Sequence, residues 1–255
     1  MKTFYLLFIS LLIISCQEKT FADDITLVYP KNTKMKIQEF NECIGESGSG
    51  IIYIGKEKKD IPLKYLESMI PAPPPPPSFE KTEIDSTKEK IFRDFFYSDS
   101  KIIKSIGKPV KFDSLTNKDI QIVVKNKDTI PKYAYNFETN QLKKYKAFPV
   151  FIKNISGRNL RLPELKNLPF AFLNKNKKWQ IIWNDNAFIC GDSRWNYHYW
   201  DFKPNDIIIM AVNYFDGKET GKFKVEFFDQ TSSIPFEMNY NKELIKDQRK
   251  YLEVK

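Results

Sequence analysis

The sequence is poor in the groups that most catalytic sites use. It has one histidine, His198, among 255 residues, and three cysteines. A Ser-His-Asp site, or a Cys-His pair with Cys190, would have to use that single imidazole, and no Gly-x-Ser-x-Gly elbow is present. One imidazole also excludes a histidine-rich metal site. We therefore expect no catalytic residue, no metal ion and no cofactor.

The chain also lacks blocks of like charge. Its 41 basic and 32 acidic side chains give a net charge of +9, yet no five or six like charges follow one another. Scattered lysines are typical of a solvated surface. A nucleic-acid-binding protein would concentrate them on one stripe with stacking aromatics, so we expect no nucleic-acid partner.

No apolar run is long enough to span a bilayer. The run from Phe4 to Ile14, broken only by Ser10, follows Lys2 and ends before Gln17. A spanning helix needs about 20 apolar residues. A positive start followed by a short apolar core is the layout of an export signal, so residues 1–15 are predicted to be removed.

The end of this signal is specific. Ile13-Ile14-Ser15-Cys16 resembles the lipobox of bacterial lipoproteins, in which the cysteine thiol is acylated and becomes the new amino terminus. The resemblance implies lipidation of Cys16 and a membrane as the partner of that lipid. Gln17, where lipoprotein sorting rules would place a retention aspartate, implies the outer membrane. The periplasmic and the surface face both remain open.

Acylation of Cys16 would leave two cysteines. Cys43 and Cys190 would then be an even pair in an oxidising compartment, where disulfides persist. Proximity in space decides whether they bond, and spacing in sequence does not show it. A Cys43–Cys190 disulfide and two separate buried thiols are both compatible with the sequence.

The first half of the chain is predicted to consist of short secondary-structure elements on either side of a rigid spacer. Residues 16–27 are polar and predict a tether. Residues 28–70 predict a small β segment, with strands at 34–43 and 50–55 joined as a hairpin through a glycine-rich loop. A polyproline stretch predicts a stiff linker over 71–85. Residues 86–97 predict a helix with Ser86 as N-cap, within a connection over 86–118.

From residue 119 the pattern changes to repeated strands, and residues 241–255 predict a polar tail. Such strands without long intervening helices indicate a mainly β fold, with an antiparallel Ig-like β-sandwich over 119–240. Residues 145–230, with Lys153-Asn154-Ile155-Ser156-Gly157 and later Cys190-Gly191, resemble Ig-like domains of bacterial envelope lipoproteins. At fold level they are also similar to the small β-sandwich of bacterial proteinase inhibitors. The predicted strands are 120–124, 147–152, 170–173, 179–183, 207–213, 222–228 and 233–238.

All four tryptophans fall within residues 179–200. In the stretch from Trp195 to Trp200, strand alternation places Tyr199 and Trp200 on opposite faces, so aromatics would be exposed whichever face is buried. Exposed rings beside polar groups suit protein or sugar binding. A tryptophan-rich core is the alternative interpretation. The predicted binding surface consists of Trp195, Tyr197, His198, Tyr199 and Trp200.

Three functions are compatible with this pattern. The first is a non-catalytic, lipid-anchored module that binds or scaffolds an envelope protein or glycan. The second is an inhibitor or immunity protein directed against a toxin or a protease. The third is a glycan-processing enzyme using a pair among Asp185, Asp192 and Asp201, which lie near tryptophans as the acids of glycosidases do.

Overall fold

A computed structural model of the chain describes residues 19–39, 49–67, 83–99, 101–102, 104–106, 110–137, 139–165, 167–182, 197–228 and 231–246. Within these ranges the fold is mainly β, with antiparallel sheets arranged as in a sandwich, as the sequence predicts. Several predicted features lie outside the described residues. These are the signal and Cys16, Cys43, the proline-rich run, Cys190 and Trp195.

A five-stranded sheet forms the centre of the fold. Its order is β2-β14-β9-β7, and β8 pairs with the end of β9 that β7 leaves free. The predicted strands 120–124, 147–152 and 207–213 are therefore confirmed. The strands of this sheet are β2 (Ile51–Lys56), β7 (Ile120–Val124), β8 (Ile130–Asn136), β9 (Gln141–Asn154) and β14 (Asp206–Asn213).

The central sheet is buried on both faces. β14 contains the run Ile-Ile-Ile-Met-Ala-Val, and every residue from Asp206 to Val212 is buried. A strand with one wet face would alternate apolar and polar residues, whereas a run of this kind requires cover on both sides. Ile208 and Met210 pack into one apolar core, and Ile207 and Ile209 pack into a second one.

A four-stranded sheet covers the first face. Its order is β12-β11-β15-β16, all antiparallel. Phe148 of the central sheet lies 6.2 Å from Phe170 and 5.8 Å from Phe236, ring centroid to ring centroid, across the interface. The strands are β11 (Phe170–Leu173), β12 (Trp179–Ile182), β15 (Glu219–Val225) and β16 (Phe236–Tyr240).

A three-stranded sheet contributes to the same core. Its order is β10-β13-β6, with β10 at Leu160–Pro163, β13 at Tyr197–Phe202 and β6 at Lys104–Ile106. Both pairings are antiparallel. The sequence did not predict β10 or β6.

The N-terminal elements and the first helix cover the second face. Tyr65, Phe96 and Ala22 belong to the same core as Ile207 and Ile209. These elements are a 3₁₀ turn (Phe21–Asp24), β1 (Thr26–Val28), β3 (Asp60–Pro62), β4 (Tyr65–Leu66), the helix α1 (Glu83–Phe95) and β5 (Phe96–Tyr97).

This layer corrects three predictions. The tether over 16–27 is wrong from residue 19 onward, because the 3₁₀ turn packs against the core and β1 pairs with β3. The 34–43 and 50–55 hairpin is also wrong, since β2 pairs with β14 and Lys36 makes only an isolated bridge with Tyr145. The described residues of the predicted segment, 28–39 and 49–67, are therefore part of the main fold and not a separate segment.

Two further predictions need adjustment. The helix begins at Glu83, three residues before the predicted cap at Ser86. The predicted polar tail begins with a short helix, α2 (Lys242–Lys246), whose Leu244 joins the first core.

Candidate functional site

The predicted binding surface falls on β13, where alternation divides its residues between two faces. Trp200 and Phe202 point into the first core with none of their surface exposed. They lie opposite Leu162 and Leu160 of β10 in the antiparallel register. Tyr199 and Asp201 therefore lie on the opposite side of the strand, away from this core.

Trp200 does not belong to the predicted binding surface, because the structure buries it. Its side chain is 0% exposed, and its indole nitrogen has no hydrogen-bond partner in the described part of the chain. A large ring in this position contributes to packing, as the core interpretation of the tryptophans expected.

The other predicted residues divide between described and undescribed positions. His198 and Tyr199 are half-buried, and the backbone of Tyr197 pairs with Ile106 on β6. Trp195 lies outside the described residues, as do Asp185 and Asp192.

Tyr199 is stacked by a basic side chain from the neighbouring strand. The guanidinium carbon of Arg161 lies 4.9 Å from the centroid of the Tyr199 ring. The Arg161 side chain is 47% exposed, so the pair presents an aromatic edge and a cation to solvent. Such stacking helps to hold the guanidinium of Arg161 in one position.

Asp201 lies between two cations on the same face. The Lys104 ammonium donates a hydrogen bond to one carboxylate oxygen, and Arg161 Nε lies 3.6 Å from the other. Asp201 is only 14% exposed. The hydrogen bond to Asp201 raises the pKa of Lys104. The Asp201 carboxylate is thus part of an ion-pair network that joins β6, β10 and β13.

A second ion-pair cluster continues this surface beyond β10. Arg158 lies 3.3 Å from Asp113 and 3.4 Å from Asp119, nitrogen to oxygen. Asp113 also accepts a hydrogen bond of 2.6 Å from the backbone nitrogen of Arg161. Hydrogen bonds from the Thr116 hydroxyl, from the Thr116 backbone nitrogen and from Arg158 lower the pKa of Asp119. We call Lys104, Asp113, Arg158, Arg161, Tyr199 and Asp201 the outer face.

Most of the outer face was missed because β10 and β6 were missed. The sequence did contain a signal for β10, since Leu160-Arg161-Leu162 alternates apolar, basic and apolar. That alternation is typical of a strand with one solvent-exposed face. Nothing in the sequence places Lys104 beside Asp201, because the two are 97 residues apart and meet only through sheet pairing.

A cleft of about 380 Å³ lies elsewhere, between the turn after β7, the loop after β14 and strand β16. Two hydrogen bonds cross it. Tyr214 donates 2.9 Å to the Asn126 carbonyl, and the Asn126 amide donates 2.9 Å to the Glu237 carbonyl. These hydrogen bonds join the turn after β7 to the loop after β14 and to β16.

Two further structural results concern metals and membranes. No group of three or more His, Cys, Asp or Glu side chains within the described ranges is arranged to hold a metal ion. Among the helices that the structure describes, none is long and apolar enough to cross a membrane.

Comparison with known proteins adds no relative. No protein-family profile, curated protein sequence or solved structure matches this chain.

Proposed function

We propose that the chain is a lipid-anchored protein of the bacterial cell envelope, acylated at Cys16, that binds a partner without catalysing a reaction. The lipobox-like Ile13-Ile14-Ser15-Cys16 after a short apolar signal supports the anchor. The localisation proposed with it is the outer membrane, from Gln17 at the second mature position. Envelope protein or glycan is the partner class.

The observation that carries the binding proposal is the stack of Arg161 on Tyr199. Arginine and tyrosine are enriched among the residues that dominate binding energy in protein interfaces. Here the two are held by neighbouring strands, so little side-chain freedom is lost when a partner docks. Arg161 also forms an ion pair with Asp201, at 3.6 Å between Nε and a carboxylate oxygen, which restricts its side chain further.

The anchor is tested by labelling cells with a radioactive fatty acid. The full chain is expected to incorporate label, and the Cys16→Ser variant is expected to incorporate none and to keep its leader. Intact-mass measurement of the mature chain gives the same answer independently. An unacylated mature chain with a cysteine-free amino terminus would contradict the proposal.

The binding surface is tested by capture from envelope extracts with acylated protein. Arg161→Ala and Tyr199→Ala are each expected to reduce recovery of the co-purified partner at least about tenfold, the effect of losing roughly 1.4 kcal/mol. Lys175→Ala, in the exposed β11–β12 turn, is the matched control and should capture normally. Equal capture by all variants would contradict the outer face as the contact surface.

One observation favours the inhibitor alternative. The Ile234 side chain is 83% exposed, although Ser233 and Thr231, one and three residues before it, are buried. Ser233 is buried. Its hydroxyl accepts a hydrogen bond of 3.0 Å from the Val225 nitrogen and donates one of 3.0 Å to the Ile234 carbonyl. Thr231 is buried and donates 2.5 Å to the Phe228 carbonyl. A rigid loop that presents one apolar side chain suits insertion into a pocket of another protein.

This alternative has its own test. If Ile234 enters the primary pocket of a serine protease that cleaves after aliphatic residues, the wild-type chain should inhibit such a protease and Ile234→Asp should not. Ile155→Asp, at another partly exposed isoleucine, is the control. Absence of inhibition by the wild-type chain would remove the protease version of this alternative.

A further inference from the structure

The folded part of the chain begins very close to the proposed lipid. Only Gln17 and Glu18 stand between Cys16 and Lys19, where the described structure starts. Three Cα–Cα steps of 3.8 Å span at most about 11 Å. Acylation of Cys16 would therefore hold the first folded residues within about 11 Å of the lipid headgroups.

The segment after Lys19 is fixed to the body of the protein. Ala22 has no exposed surface, and its carbonyl accepts 2.7 Å from the Lys125 ammonium. Asp23 lies 3.2 Å from the same ammonium. Asp23 also accepts from the Thr20 backbone and hydroxyl, which closes the start of the turn. The turn thus moves with the central sheet and cannot act as a hinge.

Two loops border the 3₁₀ turn. The loop after β2 reaches it because the Thr26 nitrogen donates 2.6 Å to the Lys59 carbonyl. The loop after β7 reaches it through Lys125. Lys153 connects the loop after β2 to the 3₁₀ turn, since its ammonium lies 3.0 Å from Glu57 and 5.3 Å from the Phe21 ring centroid.

We propose that the acylated protein lies directly on the bilayer, with the 3₁₀ turn and the loops 57–59 and 125–129 against the headgroups. This inference rests on the proposed acylation of Cys16. The short link and the fixed turn together set one orientation, in place of a domain that swings on a tether.

The charges on this surface permit close approach. The acids nearest the turn are compensated, Asp23 by Lys125 and Asp24 by Lys19 at 2.8 Å. Lys58, Lys59 and Lys127 are exposed, and ammonium groups suit anionic headgroups. Asp60 and Asp128 follow two of these lysines, so the surface is close to neutral overall. The lipid, rather than charge, is therefore the group that holds the protein on the membrane.

Energy transfer to a headgroup-bound acceptor tests the orientation. Acylated protein carrying an azido amino acid at position 59 or at position 176 is labelled with a donor and reconstituted in phosphatidylcholine vesicles. Asn176 lies in the β11–β12 turn, in the sheet on the far side of the central sheet from the 3₁₀ turn. Because packed sheets lie about 10 Å apart, transfer should be at least roughly twofold stronger from position 59.

A linker variant gives the matched control. Twenty Gly and Ser residues inserted between Glu18 and Lys19 span about 25 Å on average. The insertion should bring the ratio of the two transfer efficiencies close to one. It should leave vesicle binding unchanged, because the lipid is still present.

The outcomes separate the two proposals. Vesicle-bound protein with equal transfer from both positions overturns the orientation alone. Protein that does not float with vesicles overturns acylation and the orientation with it. Flotation that survives high salt supports the lipid as the holding group, whereas flotation lost in high salt overturns it, since salt screens charge and leaves acyl chains inserted.

Discussion

Lys132 Nζ donates a hydrogen bond of 3.1 Å to Asn167 Oδ1, across the gap between β8 and the loop before β11. The Lys132 side chain is buried, and no carboxylate in the described ranges forms an ion pair with it. Burial lowers the pKa of Lys132 to about 8. A hydrogen bond to a neutral amide only partly compensates the cost of burying an ammonium, so Lys132 lowers the stability of the folded protein.

We expect Lys132→Met to stabilise the protein at pH 7. An ordinary lysine has a pKa of 10.5, and the difference from about 8 corresponds to about 3 kcal/mol of cost for keeping the buried group charged. Methionine fills a similar volume without the charge. Urea unfolding at pH 7 should give an increase of about 1–3 kcal/mol, after part of the hydrogen bond to Asn167 is lost. Lys175→Met, at an exposed turn, should leave stability unchanged.

The same lysine predicts a pH dependence of known sign. Between pH 8 and 10.5 the unfolded chain binds more protons at this position than the folded chain does, so stability attributable to Lys132 rises with pH. Comparing unfolding free energies at pH 7.5 and 9.5 in the wild type and in Lys132→Met isolates this contribution. Parallel pH profiles for the two proteins would contradict a depressed pKa at Lys132.

Trp200 and Tyr199 are adjacent in sequence and should behave oppositely when truncated. Trp200→Ala removes a fully buried ring and should cost about 3–5 kcal/mol. Tyr199→Ala removes a half-exposed ring stacked on Arg161 and should cost about 1 kcal/mol or less. Chemical denaturation of both variants tests the face assignment of β13. Similar losses for the two would show that the assignment is wrong.

Strand β14 could be predicted from the sequence, whereas β10 could not. The apolar run of β14 was sufficient to predict a strand, and that strand is present at Asp206–Asn213. The same run also signalled cover on both faces, which makes a separate N-terminal segment untenable. β10 is only four residues long, and its alternation was too short to stand out beside Pro163. The N-terminal layer depends on pairings such as Tyr65 with Phe96, which local patterns do not specify.

The candidate site was predicted in part for the same reason. Alternation correctly separated Tyr199 from Trp200, but it could not say which of the two faces the core. The answer depends on Leu160 and Leu162, which meet β13 only after β10 has formed. Arg161 reaches Tyr199 through that same pairing. Contacts that depend on the register of paired strands therefore cannot be predicted from the sequence alone.

Substitutions of Lys104 and Asp201 should show a small coupling free energy. Lys104 is 45% exposed, so solvent screens it, although Asp201 is mostly buried. A double-mutant cycle with Lys104→Met and Asp201→Asn is expected to give about 0.5–1 kcal/mol of coupling, falling in high salt. The Lys19–Asp24 pair is more exposed on both sides and should give a smaller value. Equal coupling in the two cycles would contradict the partial burial of the Asp201 pair.

Asn154 should tolerate no change of its hydrogen-bonding pattern. It is fully buried at the end of β9, and its amide nitrogen donates 2.9 Å to the Arg158 carbonyl and 2.7 Å to the Phe202 carbonyl. Its amide oxygen accepts from the Ser156 nitrogen at 3.0 Å and from the Ser156 hydroxyl at 2.7 Å. The side chain thereby joins the turn after β9 to the last residue of β13.

Asn154→Asp is the sharpest test of this arrangement. The substitution keeps the shape but directs a carboxylate oxygen at two carbonyl oxygens, so it should cost more than Asn154→Ala, which we place at about 2–4 kcal/mol. Asn159→Asp, at an exposed position of the same turn, should change stability by less than about 0.5 kcal/mol. The introduced carboxyl would have a raised pKa, and its protonated form can donate one of the two lost hydrogen bonds. The stability difference from the wild type should therefore shrink as the pH is lowered from 7 to 5. An Asn154→Asp variant as stable as Asn154→Ala at both pH values would contradict the donor role assigned to this amide.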